Sequence, residues 1–229
     1  MKTIIILTLL AFSVSCSHLN LLKDYDLSKK VIYFEEVVGI NANEVIIAFG
    51  APTAPAQTEV DAIKNVAIAI GSTLLTSETE RKLRNASQPE MIVKGISNGI
   101  ETNMIKYLRI SPVYDLNDNS EFIVTTTLNK CTLTSASLGI FIKIEAMVQI
   151  FDRNKGKLIW EYEDSESVRL RQSAFGTAGD AAGLGNLSQA ADLIALSQEQ
   201  ISSAIKDAAN QVGRNISEVL REDIANSGK

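Results

Sequence analysis

The sequence predicts an α+β domain: a mostly antiparallel sheet of about five strands, with amphipathic helices packed on one face, plus small-residue-rich insertions. Three observations predict it. Runs at 31–39, 44–50, 121–133, 138–152 and 157–171 are rich in β-branched and aromatic residues, as strands are. Segments 89–108 and 198–225 repeat apolar residues every three or four positions, which gives a helix one dry face. Strands and helices do not alternate as parallel βαβ units would require.

The N-terminus comes first. Lys2 precedes the apolar run 4–12, the small residues Ser13, Val14 and Ser15, and then Cys16. A charged start, a short apolar core and a small-residue patch form the layout of a secretory signal peptide, here 1–15. The run is short of the about 20 apolar residues that span a bilayer. A cysteine directly after the small residues resembles the lipobox of bacterial lipoproteins, although Ser13 stands where Leu is usual. The resemblance implies cleavage before Cys16 and acyl chains on Cys16, each buried CH₂ contributing about 0.8 kcal/mol of membrane affinity. Ser17, where an inner-membrane retention signal would place Asp, points to the outer membrane. Residues 16–29 read as a lipid-anchored tether, and 30–225 as a single domain with inserts near 57–84 and 173–196.

Composition narrows the function classes. Without residues 1–15, whose one charged residue is Lys2, 21 basic and 27 acidic residues remain, a net charge of −6. Nucleic-acid binders show a basic footprint instead. With Cys16 acylated, Cys131 has no partner, so no internal disulfide is expected. Cys131 reads as a small strand residue. The one histidine, His18, falls in the tether. That removes Ser-His-Asp chemistry and argues against a zinc site of the Cys/His kind. No metal and no cofactor other than the covalent lipid is expected.

Each element has its own signal. VIYFEEVVG at 31–39 and EVIIAFG at 44–50 are strands, separated by turn chemistry at Gly39 and Asn41–Asn43. Pro52 and Pro55 then break the pattern. In 57–84, Val60, Ile63, Ala67, Ile70 and Leu74 recur at helical spacing. Pro89 opens the next helix with Ser87 as its cap; Ile92, Ile96, Ile100 and Met104 form its stripe. Residues 116–120 turn. In 138–152, Ile140, Ile142, Ile144, Ala146, Val148 and Ile150 point one way, and Lys143, Glu145 and Gln149 the other. RNKG at 153–156 is a hairpin turn into 157–171. The last helix, 198–225, carries Ile201, Ile205, Ala208, Val212, Ile216, Val219 and Leu220 on one apolar face.

Little in the chain looks reactive. GTAGDAAGLG at 176–185 is glycine-rich but lacks the Lys of a phosphate loop. Glu161, Glu163, Asp164 and Glu166 could pair as acid and base or hold a cation weakly, and read best as a solvated strand end. The two inserts are apolar without being bulky, which suits close contact between subunits or with a membrane. Their candidate interface residues are Ile63, Ile70, Leu74, Leu184, Leu187 and Ile194.

The order of elements, with SEFIVTTTL at 120–128 and IFDRNKGKLIWEYE at 150–163, resembles a group of small envelope lipoproteins. The group includes the curli-secretion lipoprotein, the penicillin-binding-protein activator lipoprotein and the auxiliary lipoproteins of lipid-transporting ABC systems. The likeness covers roughly 30–50 and 89–225 and leaves the inserts unexplained. It implies a non-enzymatic, structural or accessory part in an envelope transport, secretion or assembly complex, with envelope proteins or further copies of the chain as partners. The expected location is the outer membrane, lipid-anchored and facing the periplasm. A surface-exposed lipoprotein that binds a ligand or host component is the alternative; a carboxylate hydrolase is a remoter one.

Overall fold

A computed structural model of the chain describes residues 18–40, 45–49, 77–116, 118–136, 139–169 and 197–228. The described strands are β1 (Leu19–Asn20), β2 (Val31–Val38), β3 (Ile46–Phe49), β4 (Ser111–Val113), β5 (Phe122–Ala136), β6 (Gly139–Asp152) and β7 (Lys157–Arg169). The described helices are α1 (Ser77–Ala86), α2 (Pro89–Leu108) and α3 (Gln198–Asn226). All seven strands share one sheet, ordered β1-β7-β6-β5-β2-β4, with β3 also on β5. The predicted α+β class holds.

One half of the sheet is an antiparallel meander, β5–β6–β7. On β6 the expected alternation is present. Ile142, Ile144, Ala146, Val148 and Ile150 are buried, and Lys143 between them is exposed. The turn to β7 closes on a side chain: Asp152 Oδ1 accepts the N–H groups of Asn154 (3.0 Å) and Lys155 (3.1 Å). Gly156 completes it with φ +61°, where a Cβ would be strained.

The other half corrects the expectation of a mostly antiparallel sheet. β2 and β3 both run parallel to β5, β2 against its first half and β3 against its second. β4 in turn runs parallel to β2. Helix α2 lies between β2 and β5 in the chain and supplies the long crossover that parallel pairing needs. Hydrophobic period identifies a strand and not its partner, so this half could not be read from spacing. The two parallel strands succeed one another along a single edge. Between them β5 shifts register at Leu128/Lys130, and Gly39 N–H donates to Leu128 O at 3.0 Å. A Cβ on Gly39 would stand 2.7 Å from that same oxygen.

Helix α2 begins at Pro89, whose fixed φ suits a first turn and whose missing N–H costs nothing there. Its N-cap is Gln88, not Ser87 as expected. Pro89 sets the start one residue too late for Ser87, whose Oγ donates instead to Leu83 O at 2.8 Å and closes α1. Helix α3 opens with a reciprocal cap. Ser197 Oγ accepts Gln200 N–H (3.2 Å), and Gln200 Oε1 accepts Ser197 N–H (2.8 Å).

Helices α2 and α3 lie parallel and close. Gly95 faces Ala209, Gly99 faces Gly213, and Asn103 donates to Ser217 Oγ at 2.7 Å, a constant offset along both chains. A Cβ on Gly99 would sit 2.3 Å from Asn210 O, and one on Gly213 2.0 Å from Ile96 O. Only glycine lets these backbones approach so far. Against the sheet, by contrast, the core is bulky: Ile96, Ile100, Ile205 and Ile216 pack with Val124, Leu128, Ile144 and Ile150.

Residues 18–29 are not the tether the sequence suggested. Leu19 and Asn20 pair with Glu161 and Trp160 of β7 and extend the sheet by one short strand. A short 3₁₀ turn, Leu22–Asp24, follows, and the chain then crosses the end of the domain to β2. Leu22 (1 % exposed) and Leu27 (3 %) plug the core from this strap. Lys29 N–H donates to Leu108 O at 2.8 Å, tying it to the end of α2. Two leucines five apart carry no periodicity, which is why the strap reads as loose polar chain.

Candidate functional site: the N-terminal clamp

Trp160 is fully buried on β7, and its position depends on a bulge. The β6–β7 register shifts between Ile150 and Phe151, so Ile159 is an extra residue and both Ile159 and Trp160 are buried. The indole still has an N–H to satisfy. It donates to Asp223 Oδ2, near the C-terminus of α3, at 2.8 Å. Strand and helix run antiparallel here, since Glu166 meets Asn215 farther along the same pair.

His18 completes the cluster from the first described position of the chain. Its Nε2 lies 2.6 Å from Asp223 Oδ2 and its Nδ1 2.9 Å from Glu161 O. The ring stands edge-on to Trp160 (5.7 Å) and Tyr162 (5.4 Å). Those two aromatics stack on each other at 5.9 Å. Asp223 is mostly covered, with 18 % of its side chain exposed, against 31 % for His18. The result is a clamp in which one carboxylate oxygen holds an indole and an imidazole, and the imidazole closes the open edge between β7 and α3.

The four carboxylates flagged on β7 do not converge. Strand alternation sends Glu161 and Glu163 to one face and Asp164 and Glu166 to the other. Glu161 accepts from Gln149 at 2.5 Å and Glu163 from Asn129 at 3.1 Å. Asp164 accepts Ser165 N–H at 2.7 Å. Glu166 accepts from Asn215, leaving its Oε2 without a hydrogen bond. Burial raises the Glu166 pKa above the ordinary carboxylate value, the Asn215 hydrogen bond opposes the rise, and Asp164 adds to it. Tyr162 is raised first by burial and then by Asp164, Glu166 and Asp223. No group of three metal-ligating side chains occurs among the described residues. Cys131 is buried, and burial pushes its thiol up to about 12.

Cys16 and the six interface candidates, Ile63, Ile70, Leu74, Leu184, Leu187 and Ile194, lie outside the described residues. So do Val60, Ile63, Ala67, Ile70 and Leu74, whose spacing predicts a helix; the helix α1 that follows them starts at Ser77. Sequence reasoning missed the clamp. His18 stands out as the single histidine, but its partner Asp223 is 205 residues away and no spacing rule links them.

No family model matches the sequence. No curated protein matches it. Among solved structures, protein XCC0632 of Xanthomonas campestris, of family model DUF330, is similar at 8% identity. That match covers 89% of this chain and 91% of the other, with a TM-score of 0.44. The PelC dodecamer subunit of Paraburkholderia phytofirmans is similar at 9% identity, over 83% of this chain and 93% of that one, with a TM-score of 0.31. Lipoprotein GNA1162 of Neisseria meningitidis is similar at 12% identity, over 86% and 99%, with a TM-score of 0.25. At these scores the likenesses assign neither a family nor a function.

Proposed function

We propose that this chain is a non-enzymatic bacterial lipoprotein, anchored to the outer membrane through acyl chains on Cys16, that serves as a structural or accessory component of an envelope complex. One observation carries the reading. The charged start, short apolar run and small residues lead directly to Cys16. A cleaved signal and a lipid on Cys16 account for that layout. Among the described residues no helix is long and apolar enough to cross a membrane. A non-enzymatic role is favoured by the carboxylates of β7, which divide between two faces and are each engaged in a hydrogen bond, with Gln149, Asn129, Ser165 N–H and Asn215.

Intact-mass and native-mass measurement of detergent-extracted protein tests this. The expected mass is that of residues 16–229 plus acyl chains. A chain that retains residues 1–15 and carries no lipid overturns the reading. A closed multimer would identify the partner as further copies of the chain. Protease protection on intact cells, expected here, would be lost for a surface-exposed binding lipoprotein.

A further inference from the structure

Cys16 is two peptide units from His18. A chain spans at most about 3.5 Å per residue, so the anchoring residue lies within roughly 7 Å of the clamp. His18 is not free to drift. Asp223 and the Glu161 carbonyl hold both ring nitrogens, and Trp160 and Tyr162 meet the ring edge-on. Downstream, β1 is zipped to β7, and Leu22 and Leu27 are sunk in the core. Ser17 is then the one residue between lipid and body.

We propose that the clamp seats the domain directly on a lipid bilayer, with the β7 edge turned toward the headgroups. The inference rests on the acylation of Cys16 proposed above. The occupant of this side is the bilayer itself, because an acylated Cys16 stands only two residues before His18. Tyr162, half-buried beside His18, has the apolar ring and polar tip that suit a membrane interface. Farther along the same strand Glu163, Asp164 and Glu166 would be repelled by anionic lipid. Seating therefore comes from the short covalent link and the clamp, not from charge attraction, and holds equally on zwitterionic bilayers.

The test uses the full, acylated protein in phosphatidylcholine vesicles that contain a headgroup-labelled acceptor lipid. A donor dye is placed by Ser165→Cys on β7 or by Glu36→Cys on β2, both exposed positions. Cys131 is buried and takes no label. Three strand spacings of about 4.8 Å separate β7 from β2, so energy transfer from position 165 should exceed that from 36 by about twofold or more. Inserting six Gly/Ser residues after Ser17 leaves the clamp and the melting temperature intact and should abolish the difference. His18→Ala, which opens the clamp, should reduce it. Equal transfer from both positions in acylated protein overturns the inference alone, as does a difference that survives the insertion. An intact mass without acyl chains overturns the lipoprotein reading and, with it, the inference.

Discussion

Helix α3 meets helix α2 and the sheet in opposite ways. Against α2 it offers Ala209, Gly213 and Ser217, and backbone approaches backbone. Against the sheet it offers large side chains and two polar contacts, Asn215 to Glu166 and Asp223 to Trp160. The first seam has no atom to spare. The second is filled by side chains that can change rotamer. The same helix should therefore tolerate lost atoms poorly on one side and added atoms poorly on the other.

The largest effect is expected where the sheet seam is emptied. Trp160→Ala removes the largest fully buried side chain and should cost about 4 kcal/mol, measured by urea unfolding. A loss under half that would mean the seam collapses to fill the gap. At the other seam, one added methyl should come close. Gly213→Ala drives a Cβ to 2.0 Å from Ile96 O, and backbone must move, at about 3 kcal/mol. A near-neutral Gly213→Ala would break the comparison outright. Gly95→Ala sharpens it, because its Cβ meets the Ala209 methyl first, at 2.7 Å, and the nearest carbonyl oxygen, of Lys206, only at 3.3 Å. Its cost should be milder, about 1 kcal/mol, read in the same unfolding curves.

The smallest effect concerns Glu166. Its pKa is raised in the folded state by burial, so the folded state binds more protons than the unfolded one just above the ordinary carboxylate value. Stability therefore falls as pH rises through that window and is fully retained below it. Glu166→Gln cannot titrate and still bonds Asn215. It should gain about 0.5 kcal/mol or less at neutral pH and nothing below the ordinary carboxylate pKa. Melting temperatures across that range, compared with the unaltered chain, check both sign and window. A constant gain at every pH would assign the effect to packing instead.

Some of this was legible in the sequence, for physical reasons. Pro89 and the four-residue spacing of Ile92, Ile96 and Ile100 define α2, and its bounds agree with the expected 89–108. The alternation in 138–152 defines β6, and RNKG defines its turn. These are local signals, written in neighbours along the chain. The glycine seam and the clamp are not local. Neither Gly99 nor Gly213 carries a signal within its own helix, and their meaning emerges only when the helices face each other. Thr126, whose hydroxyl is buried without a hydrogen bond, was unremarkable in a threonine-rich strand. The parallel half of the sheet was hidden for the same reason as the clamp, since its partners are chosen across α2.

The parallel seam has a further consequence at long range. Because α2 and α3 point the same way, their peptide dipoles add, each helix placing about half a positive charge at its start and half a negative one at its end. Glu90 and Glu199 occupy the first turns, and Lys106 the last turn of α2, as such a field favours. The domain is thus polar along one axis independently of its net charge. A charged surface coming within a Debye length, about 8 Å in physiological salt, exerts a torque on it and turns it before the first atoms touch.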